Sequence, residues 1–136
     1  MPRLLVNIDV EDLETAIRFY TSALGLRLGR RLDHDTAELL GAEVPIYLLL
    51  KAAGSGPFAG ASTRREYRRH WTPVHLDFAV EQLEAAVQRA EAAGGQREGA
   101  ISEHAWGRMA LFSDPFGNGF CLLEFNERGY DAIATG

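Results

Sequence analysis

The segment Val10-Glu11-Asp12-Leu13-Glu14-Thr15-Ala16-Ile17 returns 70 residues later as Val80-Glu81-Gln82-Leu83-Glu84-Ala85-Ala86-Val87. The same spacing pairs Val6 with Leu76, Ile8 with Phe78, Ala23 with Ala93, Gly25 with Gly95 and Arg27 with Arg97. A unit used twice constrains the fold severely, because whatever one copy forms the other must form as well. Function is then expected where the copies face each other, and positions at which they diverge become the chemical clues.

Each copy reads as a strand followed by a helix. In residues 4–10, Leu4, Val6, Ile8 and Val10 alternate with Leu5, Asn7 and Asp9, so the two sets point to opposite faces of a strand. Asp12 stands where an N-cap belongs, Leu13, Ile17, Tyr20 and Leu24 follow at helical spacing, and Gly25 is placed to end the helix. The second copy repeats the pattern. Val74, Leu76, Phe78 and Val80 oppose His75, Asp77 and Ala79, and a helix carrying Leu83, Val87 and Ala90 stops at Gly94-Gly95. The apolar strand face must meet the helix, which leaves Asn7, Asp9, His75 and Asp77 on the other, concave side, where a ligand can sit.

Further strands are expected at 26–32, 36–40 and 44–50, and at 96–101, 108–113 and 120–125, making each half β-α-β-β-β. Residues 52–72 are rich in Gly, Ser, Ala and Arg and read as a long connection. Its Arg64-Arg65-Glu66-Tyr67-Arg68-Arg69-His70 cluster reads as a solvated stretch. Each half, about 50–60 residues, would be marginal alone. The expectation is therefore a single domain over 1–136, with module 1 at 1–52, a connection at 53–72 and module 2 at 73–128. Ser113-Asp114-Pro115-Phe116-Gly117-Asn118 reads as the tight turn before the last strand.

With 14 basic and 19 acidic residues, the net charge of −5 argues against a nucleic-acid partner. No apolar stretch approaches the roughly 20 residues a membrane span requires. The single cysteine, Cys121, cannot form an intrachain disulfide, and the N-terminus lacks a signal-peptide pattern, so a cytoplasmic location is expected.

The repeat, the Leu-Glu-x-Ala-x-x-Phe-Tyr helix at Leu13 to Tyr20, Trp106-Gly107, the Asp114–Asn118 turn and the Phe120-Cys121-Leu122-Leu123 ending together resemble the vicinal oxygen chelate superfamily. That superfamily groups glyoxalase I, bleomycin-resistance proteins and extradiol dioxygenases, and the resemblance spans about residues 4–127. It implies an α+β fold of two paired βαβββ modules whose curled mixed sheets surround a cleft, and a homodimer. It also implies metal ligands at four equivalent points, on the first and last strands of each module. Carried over, these fall on Leu5, His75, Tyr47 (or Leu49, with a slip of two residues) and Cys121, the last in place of a glutamate. Only His75 matches.

A catalytic zinc site needs about three protein ligands, so the expected function is a small-molecule binding protein without the usual metal site, holding no cofactor and no metal. Its ligand-binding candidates are His75, Asp77, Asn7, Asp9, Tyr47, Trp106, Arg108 and Cys121. Histidine can also serve as a base, and a rebuilt His75/Cys121/Asp77 site is the alternative. That would make the protein a metal-dependent lyase, isomerase or dioxygenase acting on a small oxygenated substrate.

Overall fold

The β-branched alternation at the start of the chain becomes strand β1 (Val6–Val10), and the computed structural model, which describes all 136 residues, builds two compact units in sequence, Met1–Arg68 and Arg69–Gly136. In the first unit β1 is followed by helix α1 (Leu13–Leu24) and strands β2 (Arg27–Leu32), β3 (Thr36–Leu40) and β4 (Ile46–Leu50). The sheet order is β1-β4-β3-β2, parallel only between β1 and β4. Asp12 caps α1 by accepting from the Thr15 amide at 2.9 Å, and Gly25, at φ 67°, closes it in the left-handed conformation. Ala16, Ile17, Phe19, Tyr20 and Ala23 of α1 are buried with Val10, Ala37, Leu39, Ile46 and Leu48 of the sheet. Burial of this one apolar face is the main force holding the unit together.

The second unit repeats the plan with one addition. Strand β5 (Leu76–Ala79) leads into α2 (Leu83–Ala92), then β6 (Gln96–Arg97), β7 (Ser102–His104), β8 (Gly107–Ser113) and β9 (Gly119–Phe125). The order is β5-β9-β8-β6, with β7 also pairing β8 and only β5–β9 parallel. The expected single strand over 96–101 is therefore a two-residue strand, a break, and a new strand that turns through Ala105-Trp106 back into β8. Ser102, Glu103 and His104 carry none of the apolar alternation that marks a strand, and they pair only because β8 offers an edge. The β8–β9 turn forms as read. Asp114 Oδ1 accepts from the amides of Phe116 at 2.8 Å and Asn118 at 2.9 Å.

The two helix starts are solved differently. Gln82 replaces Asp12 at the cap of α2 and makes no side-chain capping bond. Instead Glu124 of β9 reaches over and accepts from the Leu83 amide at 2.9 Å, supplying acceptor and negative charge at a helix N-terminus. No helix of the structure is long and apolar enough to cross a membrane.

Candidate functional site

Strand alternation and register decide which side chains meet. In the first unit Asn7 lies opposite Tyr47 and Asp9 opposite Leu49; in the second, Asp77 lies opposite Cys121. The 70-residue repeat equates Asn7 with Asp77, so Tyr47 is the counterpart of Cys121 and no two-residue slip toward Leu49 is needed. All these residues occupy the face of their own sheet turned away from its helix.

His75, Asp77 and Cys121 come together. His75 precedes β5 by one residue and shares the Asp77 face, and its Nε2 lies 3.1 Å from Asp77 Oδ1. The imidazole, carboxylate and thiol donor atoms all fall within 4.8 Å of one another. The side chains of His75 and Asp77 are 55% and 38% exposed, whereas Cys121 is only 4% exposed. Burial, reinforced by the neighbouring Asp77 carboxylate, pushes the Cys121 thiol up to about 11, so without a cation beside it this thiol stays protonated and unreactive at neutral pH. The donor set suits a borderline-soft ion that accepts nitrogen, oxygen and sulfur, and is wrong for magnesium, which demands an oxygen octahedron.

Beside this cluster runs Arg69, exposed as the solvated reading of its stretch expects. Arg69 lies across β9 at Gly119, where an added Cβ would meet its guanidinium at 2.7 Å, and its Nε donates to Glu98 at 2.7 Å. Arg65 departs from the solvated reading of the Arg64–His70 stretch. Its side chain is 16% exposed, and it donates to Asp9 at 2.7 Å and to the Gly56 carbonyl at 2.8 Å. Tyr67 ties the same segment down by donating to the Lys51 carbonyl at 2.6 Å. These cations are ordered because each reaches a carboxylate from its own unit. Their partners lie far apart in sequence and leave no spacing to read.

The remaining candidates are placed elsewhere. Asp9 is engaged by Arg65. Tyr47 donates to Glu38 Oε2 at 3.0 Å. Arg108 points to the helix face of its sheet, opposite to Cys121, where it is paired with Glu84 and, at 2.7 Å, with Glu124. It thereby steadies the carboxylate that caps α2. Trp106 stacks on His104 at 4.8 Å and packs against Phe125 and Tyr130. An open groove of about 230 Å³ beside it is lined by Glu103, His104, Gly107, Arg108, Glu124 and Asn126.

Sequence reading missed Glu38, which is buried on the Tyr47 face. It accepts from Arg30 Nη2 at 2.7 Å, Arg30 Nε at 3.0 Å and the Arg30 amide at 3.1 Å. The alternation of Thr36, Glu38 and Leu40 was the available signal for its face. The Arg30 guanidinium, then the Arg30 amide and the Tyr47 hydroxyl, hold the Glu38 carboxyl down at about 2 against a usual 4.5. A carboxyl depressed on folding stabilises the native state above its unfolded pKa and loses that contribution as pH falls through the folded one. The wild-type urea midpoint should therefore decline between pH 4.5 and about 2. In Glu38→Gln the decline should be shallower, with wild type and variant converging at the acid end; parallel curves would contradict this role.

Comparison with known proteins places these observations in context. The profile of the family described as "Glyoxalase-like domain" matches residues 5–123. An anthracycline biosynthesis protein, DnrV, of Streptomyces peucetius is 33% identical over 134 residues, covering 96% of this chain. The chain spans 44% of the length of that relative. Among solved structures, the fosfomycin resistance protein FosX of Listeria monocytogenes superposes with a TM-score of 0.70 at 16% identity, covering 94% of this chain and 96% of that one. A glyoxalase/bleomycin resistance protein/dioxygenase from Nocardioides gives 0.63 at 22% identity, covering 95% and 86%. At such identities these two likenesses concern the fold.

Proposed function

The chain belongs to the glyoxalase-like domain family, within the vicinal oxygen chelate superfamily, and we propose that it is a small-molecule binding protein that does without the metal centre usual there. One observation carries this reading. In the first unit, Leu5 offers no donor atom, and the Tyr47 hydroxyl is committed to Glu38, so neither expected position supplies a metal ligand. The groups left to meet a ligand are the exposed His75 and Asp77, paired at 3.1 Å. A carboxylate beside an imidazole favours ligands that bring hydrogen-bond donors or positive charge. The anthracycline biosynthesis relative and the fosfomycin resistance neighbour direct the choice of compounds toward antibiotics and their precursors.

The test is a thermal-shift screen of the chelator-treated protein against such compounds, anthracyclines included, followed by titration of each hit. A hit should raise the melting temperature. His75→Ala and Asp77→Asn should each weaken its binding about tenfold, the worth of one hydrogen bond to a charged group. A screen without hits, or hits indifferent to both substitutions, would count against the proposal. A second reading is favoured by the three donors within 4.8 Å. On that reading His75, Asp77 and Cys121 hold an ion whose chemistry would be Lewis-acid polarisation of a substrate oxygen.

A further inference from the structure

A row of polar side chains crosses all four strands of the first sheet. Register sets Asn7 of β1 and Glu38 of β3 on either side of Tyr47 of β4, and Arg30 of β2 closes the row by donating to Glu38. The β2–β3 register shifts between Leu28 and Arg31. Gly29 lies inside that irregularity, and a Cβ there would stand 2.7 Å from Glu38 Oε1. The irregular strand and its missing side chain thus make room for a carboxylate buried across the sheet.

The direction of each hydrogen bond follows from the chemistry of the members. Arg30 can only donate, and an ionised Glu38 can only accept. The single Tyr47 proton therefore goes to Glu38 Oε2, at 3.0 Å, which leaves the phenol oxygen an acceptor toward any further partner. We propose that Arg30 and Glu38 are positioning residues that fix Tyr47 as a hydrogen-bond acceptor, so that the first unit selects a ligand O–H or N–H over a bare carbonyl or ether oxygen. The commitment of Tyr47 to Glu38 uses its proton and not its oxygen. Donation to a carboxylate also enriches that oxygen in electron density and strengthens the bond it accepts. Arg30 interacts with the same hydroxyl, and it takes at most one of the two lone pairs. Asn7, exposed and directly across from Tyr47, offers an amide for a second hydrogen bond. Arg30 and Glu38 cancel each other's charge, so the selection is by hydrogen-bond polarity. This inference rests on the small-molecule reading above and adds a contact in the first unit.

Fluorine NMR of the full chain near neutral pH compares the binding of para-fluorophenol with that of para-fluoroanisole, in which a methyl group replaces the hydroxyl proton. The phenol should bind about fivefold more tightly, the worth of one neutral hydrogen bond. Tyr47→Phe keeps the ring and should abolish the preference. In Glu38→Gln the carboxamide N–H can donate to the Tyr47 oxygen and turn its proton outward, so the preference should vanish or reverse. Circular dichroism checks that this variant folds; should it not, Gly29→Ala, which drives the Glu38 carboxylate aside, takes its place with the same expected loss. Equal affinities in the wild type, or a preference that persists in Tyr47→Phe or in the variant that disturbs Glu38, would overturn the proposal. The two readings fail separately. Antibiotic hits that depend on His75 and Asp77 alongside fragments bound without preference would sink only this one, and a screen without hits alongside a Tyr47-dependent preference would count only against the other.

Discussion

Phe112→Ala should lower stability by about 3–5 kcal/mol, the range for emptying a large aromatic site in a core that cannot collapse around it. Phe112 is completely buried on the helix face of β8, and its ring stacks on Phe120 of β9 at a centroid distance of 5.7 Å and an interplanar angle of 17°. Phe120 in turn meets Phe78 of β5 edge to face at 5.9 Å. The ring therefore joins the stack that links three strands beneath α2, and truncation removes apolar burial and ring contacts together. Urea denaturation measures the loss directly. Leu111→Ala, on the same strand but half-buried on the other face, should cost clearly less. Equal losses at the two positions would mean that the core does not lie on the helix side of this sheet.

Gly107→Ala should be nearly as damaging, at about 3 kcal/mol or more, although it adds one methyl group and removes nothing. Gly107 has φ 148°, and a Cβ there would stand 2.0 Å from the Glu124 carbonyl oxygen and 2.9 Å from the Phe125 Cα. Both atoms are backbone of β9, so relief requires opening the β8–β9 ladder. A comparison separates steric clash from backbone strain. Gly25 has φ 67° with nothing within 4 Å of an added Cβ, so Gly25→Ala pays only the left-handed penalty of about 1–2 kcal/mol. Displacing β9 at residue 124 should also loosen the Glu124 carboxylate that caps α2 and pairs with Arg108. Hydrogen exchange at the first amides of α2 should accelerate in Gly107→Ala and not in Gly25→Ala. A variant as stable as wild type would contradict the close approach.

Much of the architecture was legible because it is written in short-range pattern. The alternation in Val6–Val10 and Leu76–Ala79, the Asp12 cap, the Gly25 stop and the Asp114 turn are each decided within a few residues. All form where the sequence places them. The repeat extended this local information by equating Asn7 with Asp77, while the choice between Tyr47 and Leu49 as the counterpart of Cys121 was settled by strand register. What escaped was β7, which has no alternation of its own, and the capping of α2, where Gln82 gives way to the Glu124 carboxylate, 41 residues beyond the Leu83 amide it accepts from.

The candidate site divides along the same line. Sequence places His75 and Asp77 on one strand face, and the resemblance adds Cys121 from the last strand; only the folded chain sets their donor atoms within 4.8 Å of one another. Likewise the acidic character of Asp9 is plain from the sequence, but its neutralisation by Arg65 across 56 positions is not. By itself, then, the sequence determined the duplicated βαβββ plan, the polar and apolar faces of each strand, and the family to which the chain belongs. Tertiary structure alone decided which charges are spent on one another and which remain for a ligand or an ion. Periodicity records which way a side chain points. The partner it meets depends on strand register and loop path, and these are set by packing the whole unit.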